Sequence, residues 1–220
     1  MHVGAHDAEE QLSYERMMQG KIIWVEAQPM KAKNLTNRLD KKRHLVLNAA
    51  VWDLEGIKME LIQTTNTQST SLLELKTHKD FYPDIVESER FEITTSILKN
   101  IISNEFRSDF INLDIQGAEL RALKGYGERI RELKWIYTEV NKVELYEGCA
   151  LVSEIDDFLA SFGFKRVCTR WWRNHGWGDA LYISSEYDSN YTLKQRAQQF
   201  YAASKWSLNN FARVCIRKVI

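Results

Sequence analysis

Short β-rich runs alternate along the chain with longer stretches whose apolar residues fall at helical spacing. The runs are IIWVEA (22–27), LVLNAAVW (45–52), FINLDI (110–115), WIYTEV (135–140), KRVCTRW (165–171) and ALYIS (180–184). Four of them are nearly continuously apolar, the pattern of strands covered by helices on both faces. Their alternation with helices predicts βαβ units and a mostly parallel sheet. Helices are expected over 8–18, 30–41, 118–131 and 153–162. Pro29 stands at the favoured start of the second. Ser153 is placed to cap the last, with Asp156 and Asp157 in its first turn and Gly163 where a left-handed cap belongs. Residues 63–71 carry Thr, Ser, Asn and Gln without an apolar period and read as a long polar loop, a feature often functional in compact domains. Only Met1, His2 and Val3 precede the turn at Gly4, so a strand leading into it is truncated or unusually short.

The chain has 220 residues, enough for one generous domain with an appendage. The expected division is a domain over 1–188 and a basic amphipathic helical extension over 189–220. No acid follows Asp188, whereas Lys194, Arg196, Lys205, Arg213, Arg217 and Lys218 do. Apolar residues recur there at Leu193, Ala197, Phe200, Ala203, Leu208, Phe211, Cys215 and Val219. Docking on the domain or self-association is the first reading of this tail, contact with an anionic membrane surface the second, and nucleic acid the last. Overall, 30 basic residues balance 30 acidic ones. No global field steers the protein to polyanions, and a nucleic-acid partner is not expected. Cys149, Cys168 and Cys215 show no CxxC or metal-type spacing and read as ordinary thiols of a cytoplasmic protein. No apolar run is long enough to span a bilayer, and the N-terminus lacks a signal-peptide layout.

The first segment with chemistry in it is HVGAHDAEE (2–10), a turn into a helix whose backbone N–H groups suit a carboxylate or phosphate. About 20 residues on, the run IIWVEA ends in Glu26, placed to accept hydrogen bonds from two ribose hydroxyls. A glycine turn with an acid after the next strand is the logic of adenosine-containing cofactors, although one glycine and one acid also fit an ordinary surface turn. A nicotinamide dehydrogenase is disfavoured, because that chemistry calls for G-x-G-x-x-G and the chain supplies G-A-H-D-A-E.

On five segments in order the chain resembles the FkbM-type family of S-adenosylmethionine-dependent methyltransferases. They are HVGAHDAEE (2–10), WVEAQP (24–29), NAAVWDLEG (48–56), LDIQGAEL (113–120) and EVNKVELYEG (139–148), with GWGDALY (176–182) closing the series. The resemblance implies an α/β, Rossmann-like class I methyltransferase fold. That fold has a mostly parallel seven-stranded sheet with the last strand antiparallel, helices on both faces and the cofactor over the carboxyl ends of the early strands. It further implies that Gly4, Ala5 and His6, with Val3 beside them, face the methionine part of S-adenosylmethionine. Glu26 would bind the ribose, with Ala27 beside it in the cofactor site, Ala50 and Val51 would flank the adenine, and Asp114 with Gln116 would close the methyl-donor side. In the broader class the first motif commonly opens with an acid and carries further glycines, whereas His2 and Ala8 stand at those places here.

Family analogy makes a hydroxyl of a sugar, glycan or related natural product the leading acceptor. The candidates for handling its proton are Asp114, Glu119, Glu139 and His6, with His175 a further one. Glu119 fits equally well as a cap of the first helical turn. The acids match no standard metal motif, and no metal is expected. Trp171, Trp172 and His175, in the segment WWRNHGWGD (171–179), are expected to overhang the acceptor, with Ser71 on the opposite wall and Trp177 packed beneath. Two rivals stand beside this reading: a Rossmann-like binding module without catalysis, and an RNA or protein methyltransferase guided by the basic tail.

Overall fold

The computed structural model describes residues 1–172 and 175–188. The extension expected over 189–220 lies outside the described residues, as do Arg173 and Asn174.

The chain opens with β1 (His2–Val3), α1 (Gln11–Met17), β2 (Ile22–Glu26), α2 (Pro29–Arg38) and β3 (His44–Asn48). There follow β4 (Ala50–Trp52), β5 (Lys58–Thr64), α3 (His78–Phe81), β6 (Glu87–Ile97) and α4 (Leu98–Ile101). The second half is β7 (Phe110–Leu113), α5 (Glu119–Tyr126), β8 (Trp135–Asn141), α6 (Val152–Ser161), β9 (Phe164–Trp171), β10 (Trp177–Ser184) and α7 (Ser185–Asp188). Seven strands form one sheet in the order β3-β2-β1-β7-β8-β10-β9. Neighbours from β3 to β8 run parallel, and β10, the last strand in sequence, is antiparallel to both β8 and β9. The expected mixed α/β sheet is therefore present, and β1, only two residues long, sits inside it between β2 and β7.

Helices cover both faces, and β2 shows why its run is apolar throughout: all five residues are buried. Ile23 and Val25 pack into the main core with Leu120 and Leu123 of α5 and Ile155 and Leu159 of α6. Ile22 and Trp24 point the other way, against Tyr14 of α1 and Leu35 of α2. At α6 the cap differs from expectation. Leu151 holds the cap position and its N–H donates to the Glu154 carboxylate at 2.8 Å, so Ser153 falls inside the first turn. Gly163 takes the expected left-handed conformation, φ 82°.

Two departures concern strands. The run 45–52 is two strands rather than one, because the Asn48 amide and the Ala49 N–H turn back onto the carbonyls of Glu26 and Ala27. Beyond that point β4 leaves the main sheet and pairs with β6, and β5 completes a separate three-stranded sheet in the order β4-β6-β5. The hairpin of β5 and β6 also absorbs Gln63 and Thr64 from the stretch read as loop. Among the described residues no helix is long and apolar enough to cross a membrane. Cys149 is a buried free thiol, whereas Cys168 is disulfide-bonded rather than the ordinary thiol expected.

Candidate functional site

The connections after β1, β2, β3 and β7 converge at the carboxyl ends of the parallel strands, where open α/β sheets bind ligands. They line part of a cleft of about 1240 Å³ that also reaches residues preceding β2 and β7. Val3, Gly4, His6, Glu26, Ala27, Ala50, Val51, Asp114, Gln116, Glu139, Ser71 and Trp172 all line it. Ala5, Glu119, Trp171 and His175 do not.

Gly4 fixes the floor. Its N–H and that of Ala5 both donate to the Val25 carbonyl, at 2.9 and 3.0 Å, which folds the turn back over β2. With φ at 88° and a hypothetical Cβ only 1.8 Å from the Asp114 carbonyl oxygen, the position admits glycine alone. The turn then ties itself to the end of β2. Glu26 is 5% exposed, and its two oxygens accept the N–H groups of His6 at 2.6 Å and Gln28 at 2.7 Å. Burial raises its pKa, and those two donors oppose the rise. The carboxylate is thereby oriented into the cleft with lone pairs to spare.

His6, Ala8 and Gln116 are the non-glycine residues with positive φ among those described, at 44°, 53° and 54°. All three lie in the turns that follow β1 and β7. Backbone strain of about 1–3 kcal/mol per residue persists only where the surroundings enforce it, and here they do. The His6 ring lies 2.8 Å from Glu9 Oε1 and 2.9 Å from the Thr67 hydroxyl, bridging the first turn to the polar loop. The hydrogen bond to Glu9 raises the His6 pKa. The ligand atoms of His6, Asp7 and Glu9 lie within 4.8 Å of one another, a clustering these contacts and the Asp7–Lys31 pair at 3.0 Å explain without a metal.

Gln116 is clamped on three sides. Its carbonyl accepts from the Ser71 hydroxyl at 2.7 Å, its side-chain oxygen from the Tyr146 hydroxyl at 2.5 Å, and its amide donates to Asp114 Oδ1 at 2.7 Å and Glu139 Oε2 at 3.4 Å. The Ser71 hydroxyl proton is thus taken by backbone, while Ser71 lines the cleft. Asp114 opens into the cleft, and Glu139 is buried. Burial first, and then the charges of Glu119, Asp114 and Asp179, push Glu139 well above the usual carboxylate range. Glu119 is buried and does not line the cleft. Its Oε1 accepts from Ile115 N at 3.0 Å and Gly117 N at 3.2 Å in the turn before α5, while burial pushes its pKa up to about 7.

On the far wall Trp172 is 39% exposed, its indole N–H donating to Asp179 at 3.3 Å and the Arg170 guanidinium lying 4.1 Å over its ring. Trp177 lines the cleft and donates to the Tyr82 hydroxyl at 2.9 Å. Trp171 packs instead against the main core, under the Lys142 ammonium, and His175 stacks on Tyr82. Tyr146 and Asp179 went unassigned in the sequence, although both lie within matched segments, LYEG and GWGD. Asp179 sits across from Glu139 and Arg170 in register. Burial, then the charge of Asp114, pushes it up to about 7. A carboxyl whose folded pKa exceeds its unfolded value favours the folded state below the unfolded pKa, about 4, and loses that advantage as pH rises to about 7. The Asp179→Asn variant is therefore expected to gain thermal stability over wild type progressively across that window; a difference that stays flat with pH would contradict this.

A solved structure, "Human methyltransferase 10 domain containing protein", aligns with a TM-score of 0.38 and 11% identity, over 83% of this chain and 69% of that one. Over 54 residues the chain is 43% identical to the 2-O-methyltransferase NoeI of Sinorhizobium fredii, a stretch covering 24% of this chain and only 22% of that relative's length. The family model of the methyltransferase FkbM domain matches residues 2–166, well over half of the chain. On that match, and with the matched segments folded around one cleft, the chain belongs to the FkbM methyltransferase family.

Proposed function

We propose that the chain is an S-adenosylmethionine-dependent O-methyltransferase acting on a neutral sugar hydroxyl. The observation that carries this reading is the buried Glu26 carboxylate, held by two backbone N–H groups at the end of β2 and facing the cleft beside the Gly4 turn. Paired hydroxyls of a ribose suit such a carboxylate. The residues present fit the donor: Glu26 for the ribose, Ala50 and Val51, 1% and 4% exposed, as an apolar seat for the adenine, and the turn at Gly4 for the amino-acid end. S-adenosylmethionine supplies an electrophilic methyl group on a sulfonium centre.

The protein's own task is then to place a nucleophile in line and remove one proton. Asp114 is suited to take that proton, since one of its oxygens is fixed by Gln116 and the group opens into the cleft. Glu139, raised well above the usual carboxylate range by burial, accepts from Gln116 and so helps hold Asp114 in place. Trp172 offers an exposed indole face of the kind that stacks on sugar rings, next to a carboxyl, Asp179, that can accept hydroxyl hydrogen bonds. The domain division at 188 and a docking role for residues 189–220 belong to this proposal. The 2-O-methyltransferase relative supports oxygen as the methylated atom.

Incubation with methyl-labelled S-adenosylmethionine and a panel of neutral oligosaccharides is expected to place label in a base-stable methyl ether. Label recovered as a base-labile ester, or on nitrogen, would overturn the hydroxyl assignment.

A further inference from the structure

The proposed donor ends in an amino acid, so a site for it needs an anion opposite its ammonium, and a role for such an anion rests on that donor reading. Four carboxyls line the cleft around the first turn: Glu9, Glu10, Glu26 and Asp114. Three are already engaged, Glu26 by the N–H groups of His6 and Gln28. Glu9 is bound to the His6 ring at 2.8 Å and accepts from Gln68 at 3.4 Å, and Asp114 accepts from Gln116 at 2.7 Å. Glu10 accepts no side-chain hydrogen bond from another described residue, and no described lysine or arginine lies within 4.0 Å of it. Its nearest basic neighbour is His2 Nδ1 at 3.6 Å.

His2 does not serve as that cation. It is 3% exposed, sandwiched by Tyr14 and Trp24, and burial pushes its pKa down to about 3. Its Nδ1 already faces the Tyr14 hydroxyl at 3.2 Å, while its Nε2 is buried without a partner, a second unsatisfied polar atom on the same wall. Glu10 itself is only 25% exposed, and burial pushes it up to about 7. A largely desolvated carboxyl without a counter-charge is costly to keep, and an incoming ammonium would relieve the cost.

We propose that Glu10 is the carboxylate that pairs with the ammonium of the methyl donor, since it lines the cleft and no described lysine or arginine pairs with it.

The test is calorimetric titration at neutral pH of wild type and Glu10→Gln with two probes, S-adenosylhomocysteine and 5′-methylthioadenosine. The second keeps the adenosine and sulfur but lacks the amino-acid end. Glu10→Gln is expected to weaken S-adenosylhomocysteine about tenfold and to leave 5′-methylthioadenosine within about twofold, which also shows the variant is folded. Unchanged S-adenosylhomocysteine affinity, or an equal loss for both probes, would overturn the role of Glu10. Absence of binding by wild type to either probe would instead remove the donor reading on which this rests.

Discussion

Asp114→Asn is expected to lower kcat for methyl transfer about a hundredfold or more while leaving S-adenosylhomocysteine affinity within about threefold of wild type. The substitution keeps the size of the side chain and leaves an oxygen for the Gln116 amide, which now reaches Asp114 Oδ1 at 2.7 Å. It removes a carboxylate that is open to the cleft, whose Oδ1 is held by Gln116 and whose pKa burial raises. Glu139 does not substitute for it, because burial and neighbouring negative charge keep that group protonated well above the usual range. Glu119 does not either, because it is bound to the N–H groups of Ile115 and Gly117 and lies outside the cleft wall. Steady-state kinetics with calorimetry decides the matter: an unchanged kcat would show that the acceptor proton leaves by another route.

Gly4→Ala is expected to destabilise the fold by about 4 kcal/mol, the sum of backbone strain at positive φ and an unrelieved clash, each worth about 1–3 kcal/mol. The added Cβ would sit 1.8 Å from the Asp114 carbonyl oxygen and 2.7 Å from its carbonyl carbon. Both are backbone atoms, so no side chain can swing aside. They also belong to the pairing of β1 with β7, where Asp114 N donates to the Val3 carbonyl at 3.0 Å. Relief of the clash must therefore pry apart the centre of the sheet. Against a total stability of about 5–15 kcal/mol such a loss is severe. Gly20→Ala provides the comparison, since that glycine has open space around it and no positive φ. Urea denaturation should separate the two variants by several kcal/mol, and a Gly4→Ala change within about 1 kcal/mol of Gly20→Ala would contradict the close approach.

The strands most easily read from the sequence were those buried on both faces. IIWVE is apolar because Ile23 and Val25 enter one core and Ile22 and Trp24 the other. Strand β6 gave no such signal. Its sequence ESERFEITTSI lies largely exposed, and polar residues at exposed positions carry no hydrophobic period. The break at Ala49 was equally silent, since it comes from hydrogen bonds to Glu26 and Ala27, distant in sequence.

At the site, Gly4, Glu26 and Asp114 were legible because each ends or follows a strand in a recognisable segment. The tryptophans were harder. Trp171 and Trp172 are adjacent at the end of a strand, where successive side chains point to opposite faces, so a pair of neighbours does not line one wall together. Trp172 faces the cleft and Trp171 the core. Tyr146 was hidden for a different reason: its importance lies in reaching Gln116, 30 residues away in sequence, at 2.5 Å.

Donor binding by the Glu26 site is tested most directly by calorimetric titration of S-adenosylhomocysteine into wild type and Glu26→Ala. Saturable binding by wild type, weakened at least about tenfold, or about 1.4 kcal/mol, in Glu26→Ala is the expected result. No binding by folded wild type, or equal affinity in the two proteins, would contradict the assignment of this cleft to a methyl donor held through Glu26.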